Sequence, residues 1–243
     1  MKKTALALLL LPALLAGCAT GKKALVADRG PIALVSVVSN GDVNWKGEDS
    51  TDPATAGPVA RRALSRDPDM AIMTGAQGLV ETAEGIFRGA MAGSGAISLA
   101  GKEEVLGSRA YLEARANRYQ EAREREGEQA KPEGYRYVDY RDKGFAAALL
   151  EETGIGRSMY VEYNFTKFMA TGAGKIGNMR AQVDMTVMVL DGRGKSLYKR
   201  SYGIGSYDRA RVTNGVYSQS ELVALLESAI MDAAYEFLDD LGN

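Results

Sequence analysis

The chain contains no histidine and one cysteine. Without histidine it lacks the commonest general base, the commonest metal ligand and the imidazole partner of serine or cysteine nucleophiles. A single thiol excludes an intrachain disulfide and a thiolate zinc cluster. No excess of either charge exists: 30 basic residues face 31 acidic ones, for a net charge of −1. A basic face for nucleic-acid phosphates is therefore not expected. These absences argue for a non-enzyme with no cofactor, no metal and no small-molecule substrate. Hydrophobic residues at 46% and charged ones at 25% describe a globular body, neither disordered nor polytopic.

The one long apolar run lies at the start. Met1-Lys2-Lys3 is a positive flank, Ala5 to Leu15 is a Leu-rich apolar stretch, and Leu15-Ala16-Gly17-Cys18 follows it. The run falls short of the roughly 20 residues that a spanning helix needs. Lys2 and Lys3 hold the cytoplasmic side, and the small Ala16 and Gly17 suit a narrow peptidase site beside the thiol. Leu15 to Cys18 resembles the lipobox of bacterial lipoprotein signals. That resemblance implies cleavage before Cys18, acylation of its sulfur and stable attachment to membrane lipid. Ala19 in the next position resembles lipoproteins sorted to the outer membrane, facing the periplasm. Removal of the first 17 residues leaves 226 of the 243 and a net charge of about −3. Residues 18–30 read as a lipidated tether, and 31–243 as a single domain.

Pro31 to Ser39 is apolar on both alternating sets and predicts a strand buried between layers, ended by Asn40-Gly41. Asp42 to Asp69, rich in Gly and Pro, reads as a long loop with at most a short helix. Ala76 to Gly93 has helical periodicity, with Gly85, Gly89 and Gly93 recurring every four residues. Glycine costs about 1 kcal/mol in a helix, so the stripe predicts a close backbone approach. Either the helix packs tightly on its own sheet, or the stripe is an interface for self-association or a membrane. Ala96 to Leu99 suggests a short strand. Lys102 to Glu126 reads as helix, with Leu112, Ala116 and Tyr119 on one face, and passes into a charged linker near 120–141.

Asp142 is placed to cap a helix that ends at Gly154. Ser158 to Met169 and Met179 to Leu190 alternate as strands, and Asp191 to Gly194 turns into a return strand from Lys195 to Gly205. Ser218-x-x-Glu221 is a capping box opening an amphipathic helix that runs through Leu222, Leu226, Ala229, Ile230, Ala233, Phe237 and Leu241. The expected fold class is α/β in the α+β sense. A single mixed sheet holds an antiparallel three-strand meander, with helices packed on it and an amphipathic helix at the C-terminus. Gly172 to Gly177 fits GxGxxG literally, but it joins two strands instead of opening a helix and reads as a turn. The adjacent carboxylates Glu151-Glu152 and Asp239-Asp240 do not face one another on a helix.

This arrangement resembles envelope lipoproteins related to the curli secretion channel, the penicillin-binding-protein activator lipoproteins and the N-terminal domain of TolB. The resemblance rests on PIALVSVVSN, GFAAALLEETGIGRSMYVEYNFTKF, AQVDMTVMVLDGRGKSLYKRSYG and AIMDAAYEFLDDL. It implies a membrane-anchored binding or scaffolding protein with an envelope protein partner. The channel variant is disfavoured, because Asp42 to Asp69 and Asn117 to Asp142 lack the alternation of a transmembrane hairpin. A second resemblance, to spirochaetal lipoproteins that insert amphipathic helices into a leaflet, implies bilayer contact by the Ala76 helix and the last helix.

Overall fold

The computed structural model describes residues 25–27, 30–46 and 57–242. Leu15, Ala16, Gly17 and Cys18, expected to form a lipobox, lie outside them. The centre of the molecule is a mixed sheet of nine strands. β1 (Ala33–Asn40) runs parallel to β5 (Arg157–Ala173), and β2 (Asn44–Trp45) continues along the same edge of β5. Between them Asn40 substitutes for a backbone pair, since its amide accepts from Phe165 N and donates to Phe165 O, both at 2.8 Å. The chain turns there at Gly41, where a β-carbon would sit 1.8 Å from the Gly127 carbonyl oxygen. β4 (Gln129–Ala130) pairs antiparallel with the end of β1.

The expected meander is present. β5, β6 (Ile176–Asp191) and β7 (Ser196–Gly205) are antiparallel and in register over most of their lengths. The alternation read from Met159, Val161, Tyr163 and Phe165 and from Met179 to Val189 is the alternation of burial. The sequence reading missed one hairpin. β8 (Ala210–Thr213) and β9 (Val216–Ser218) turn at Asn214 and Gly215, whose φ angles of 51° and 78° suit the mirror-image turn that Asn-Gly favours. β9 then pairs with the two-residue β3 (Met70–Ala71).

Two helices cover one face of the sheet. α2 (Gln77–Ser94) and α7 (Gln219–Gly242) place Leu79, Val80, Ala83 and Phe87, and Leu222, Leu226, Ile230 and Phe237, against the odd-numbered residues of β5 and β6. Phe87 and Phe237 stack with centroids 5.8 Å apart. The capping box at α7 forms in one direction, Glu221 N donating to Ser218 Oγ at 3.1 Å. The carboxylate of Asp69, 151 residues away in sequence, accepts from Ser220 N at 2.9 Å and also bonds both serine hydroxyls.

The other face is covered at one end only. There α3 (Lys102–Leu106), α4 (Arg109–Glu113) and α6 (Lys143–Thr153) bury Val105, Tyr111, Phe145 and Leu149 against Ala33 and Val35. Asp142 caps α6 and Gly154 ends it at φ 73°, both as expected.

The helix expected over Lys102 to Glu126 is instead three: α3, α4 and α5 (Arg118–Arg125). Ser108 and Asn117 side chains accept from backbone N–H groups three residues on and restart the helix each time. Leu112 and Tyr119, expected on a buried face, are consequently 58% and 71% exposed. The charged linker near 120–141 is not a free linker. It holds α5 and β4, and its apolar minority, Tyr135, Tyr137 and Val138, is buried. The strand expected at Ala96 to Leu99 reduces to one parallel bridge, Ile32 to Leu99. The segment expected as a long loop, Asp42 to Asp69, holds strand β2 as well as a short helix, α1 (Pro58–Leu64), among its described residues.

Of the segment 18–30 expected as a tether, residues 25–27 and 30 are described. Leu25 is fully buried in the main core, and the guanidinium of the buried Arg157 donates to the carbonyls of Leu25, at 2.9 Å, and of Gly30. An apolar side chain at position 25 had a core site within reach, so the body begins before position 31.

Candidate binding face

Cross-strand register arranges the even-numbered residues of β5 and β6, with their partners on β7, into rows on the half-covered face. Tyr160, Met188 and Lys199 form one row. Glu162, Thr186 and Ser201 form the next, then Asn164, Asp184 and Gly203. Glu162, Asn164, Lys199 and Ser201 are exposed. Thr186 and Ser201 share a hydroxyl hydrogen bond of 2.8 Å, and Gln182 donates to Asp184 at 2.7 Å. The floor is polar because strands buried on one face only need apolar residues on that face alone.

A groove of about 180 Å³ lies where this floor meets the covered end, with Tyr140, Tyr160, Gln120, Glu162, Thr186 and Lys199 among its walls. Its wall is rigidly built. Asp142 uses one carboxylate oxygen to cap α6 and gives the other to Arg115 N at 3.0 Å. Asn117 N donates to Tyr137 O and Asp139 N to Arg115 O. Tyr140, 40% exposed, meets Tyr160 edge-on at 6.4 Å. Burial pushes the Tyr160 hydroxyl well above the ordinary phenol range, so it is a neutral donor at any physiological pH. An aromatic pair flanked by an amide, a hydroxyl, a carboxylate and an ammonium can orient a polar ligand.

Further polar clusters lie outside the groove. Glu84, buried on α2, accepts from Arg88 at 2.5 Å and Tyr135 at 3.0 Å, and faces Lys102 at 3.5 Å, fastening Tyr135 to the helix. Asp240, on α7, accepts from Tyr198 at 2.6 Å and Tyr202 at 3.2 Å and pairs with Arg200. It was expected on a helix surface, yet its side chain is only 14% exposed. Lys167, 1% exposed, donates to Val43 O and stands over the rings of Trp45 and Tyr217 at 5.3 and 5.1 Å. Sequence reading missed it because alternation put an apolar residue at that position. Among the described residues, no group of three His, Cys, Asp or Glu could hold a metal ion.

The stripe Gly85, Gly89 and Gly93 faces solvent. A β-carbon at each would meet nothing within 4 Å. The expected close packing of these glycines on their own sheet is therefore absent, because α2 turns Ala83, Phe87, Ala90 and Met91 inward instead. Gly172 to Gly177 is the tip of the β5–β6 hairpin. Gly172 and Gly177 face each other so closely that a β-carbon on either would sit about 2 Å from the opposite backbone, at 2.0 and 2.1 Å. Those glycines serve the turn, as the sequence reading held.

No family model matches the chain, and no curated protein matches it. Among solved structures, the chain is similar to the crystal structure of lipoprotein GNA1162 from Neisseria meningitidis, at 14% identity. The match covers 85% of this chain and 99% of that one, with a TM-score of 0.31, too low to carry an argument about function.

Proposed function

We propose that this protein is a lipoprotein of the bacterial cell envelope, anchored through acylated Cys18 in the outer membrane and facing the periplasm. Its body binds or scaffolds another envelope component without transforming it. The anchor rests on Leu15-Ala16-Gly17-Cys18 and the short apolar run before it. The binding half rests on one observation: a rigid sheet, sealed by α2 and α7 on one face, leaves a polar floor and a groove open on the other. The arrangement in sequence that resembles the curli-channel, activator and TolB group supports a binding role, and the absence of histidine supports a non-catalytic one.

The alternative, bilayer insertion by amphipathic helices, needs free apolar faces. Those of α2 and α7 are occupied by the sheet. No helix among the described residues is long and apolar enough to cross a membrane.

The test uses photocrosslinking amino acids placed at Thr186 or Lys199 in the groove, and at Met231 on the outer face of α7, in cells fed labelled palmitate. The expected result is palmitate in the wild type, none after Cys18→Ala, and a discrete adduct from the groove positions only. Label persisting after Cys18→Ala overturns the anchor. Adducts at all three positions alike, or at none, overturn the binding face.

A further inference from the structure

The far end of the sheet, remote from where Arg157 holds the incoming chain, has a different surface chemistry from the groove. Arg180 on β6 lies beside Phe168 on β5, and Arg211 on β8 lies beside Asn178. Tyr207, Asp208 and Arg209 follow Ser206 in the loop between β7 and β8. Arg180, Tyr207, Asp208 and Arg209 line one open concavity of about 500 Å³. Tyr207 is 87% exposed, a ring held in solvent, and Ile176 at the hairpin tip is 52% exposed. Arg209 and Arg211 are exposed as well. Arg180 is fixed by donating its Nε to the Ser206 carbonyl. The residues named at this end thus bring three guanidiniums, of Arg180, Arg209 and Arg211, and one carboxylate, that of Asp208.

We propose that this end is a membrane contact that binds the phosphate headgroups of anionic phospholipids. Guanidinium forks match phosphate oxygens. An exposed tyrosine suits the headgroup level, where its ring is half desolvated and its hydroxyl stays wet. The concavity is open to solvent, and the exposed Tyr207 and Ile176 beside it give an approaching headgroup layer apolar contact as well as charge. The helical layer carries the opposite charge, for α7 has six acidic residues and no basic one. An anionic bilayer therefore attracts the arginine end and repels the helices. The contact does not depend on the groove.

The experiment uses the mature chain from position 18 carrying Cys18→Ser, so that no acyl chain contributes, in cosedimentation with vesicles. Vesicles of phosphatidylcholine alone are compared with vesicles containing one third phosphatidylglycerol. Binding to the anionic vesicles should exceed that to the neutral ones at least tenfold and fall as salt rises. Each arginine near the surface contributes about fivefold. Arg209→Ala with Arg211→Ala should then weaken binding about 25-fold, and adding Arg180→Ala about 100-fold. The double variant leaves the Arg180 to Ser206 bond in place, so its loss of binding is not a loss of fold, and Asp208→Asn should tighten binding. Four results overturn the proposal: no vesicle binding, equal binding to both compositions, wild-type affinity in the double variant, or tighter binding to polyglutamate than to the anionic vesicles.

Discussion

Replacing Gly85, Gly89 and Gly93 with alanine separates a backbone requirement from an unused surface. Within a helix each Gly→Ala change contributes about 0.8–1 kcal/mol, by lowering the entropy of the unfolded chain and adding no polar burden. The structure imposes no opposing cost, because the added methyl group meets nothing within 4 Å at any of the three positions. Gly93 sits in the last turn of α2, just before the left-handed Gly95, and contributes less than the other two. The triple variant should therefore gain about 2 kcal/mol, which for a mature chain of this size raises Tm by roughly 4–8 °C. Differential scanning calorimetry of the non-acylated protein reads the shift, and sedimentation velocity checks that wild type and variant share one oligomeric state. A fall in Tm, with the oligomeric state unchanged, refutes the reasoning that these glycines are free of intrachain contact. A fall together with dissociation would mark the stripe as an interface between copies.

Two further predictions concern tyrosines. Asp240 bonds the hydroxyls of Tyr198 and Tyr202 from a side chain only 14% exposed. Hydrogen bonds to a charged acceptor contribute about 1.5–3 kcal/mol each. Asp240→Ala should thus cost about 3 kcal/mol by urea unfolding, and a cycle with Tyr198→Phe should show a coupling above about 1 kcal/mol. Additive losses would contradict the bond. Burial pushes the hydroxyls of Tyr111, Tyr202 and Tyr217 up to about 12, against about 10 in an unfolded chain. The folded state then holds these protons more tightly. Its stability is complete below pH 10 and is lost as pH rises from 10 toward 12. Urea midpoints followed beside phenolate absorbance should fall over that window, and a flat midpoint would rule the burial out.

What could be read from the sequence was what depends on local periodicity. β5 and β6 bury one face against helices, so their alternation is strict, and Asp142 and Gly154 act within their own helix. The segments between 102 and 141 were read wrongly because their burial depends on distant partners. Tyr135 is placed by Glu84 and Arg88 of α2, and Tyr111 by a bond from Arg136 N. Glu152 is exposed, as expected of a surface carboxylate, and it also accepts from Ala110 N and Arg109 N at the start of α4, backbone bonds that hold its pKa below the usual carboxylate value. No spacing in the sequence announces such pairings. The hairpin at Asn214-Gly215 differs, because the dipeptide between Arg-Val-Thr and Val-Tyr-Ser is a strong local signal that was available and unread. The groove could not be foreseen at all. It forms where Tyr140, placed by the Arg115 and Asp142 contacts, comes to lie over Tyr160 of a strand.

The clamp on the incoming chain limits where a partner can be. The buried Leu25 is seven residue steps beyond Cys18, and seven extended steps reach about 25 Å at most. Tyr160 is three residues along β5 from Arg157, about 10 Å farther. If Cys18 is acylated, the groove stays within about 35 Å of the bilayer however the body tumbles. The arginine end lies beside Phe168 to Thr171, about 35–45 Å along the strand from the clamp. A body held at one end and drawn by its arginines at the other is turned with the open face toward an anionic surface and the acidic α7 away from it. The partner proposed for the groove should then be a component that is itself held at the membrane.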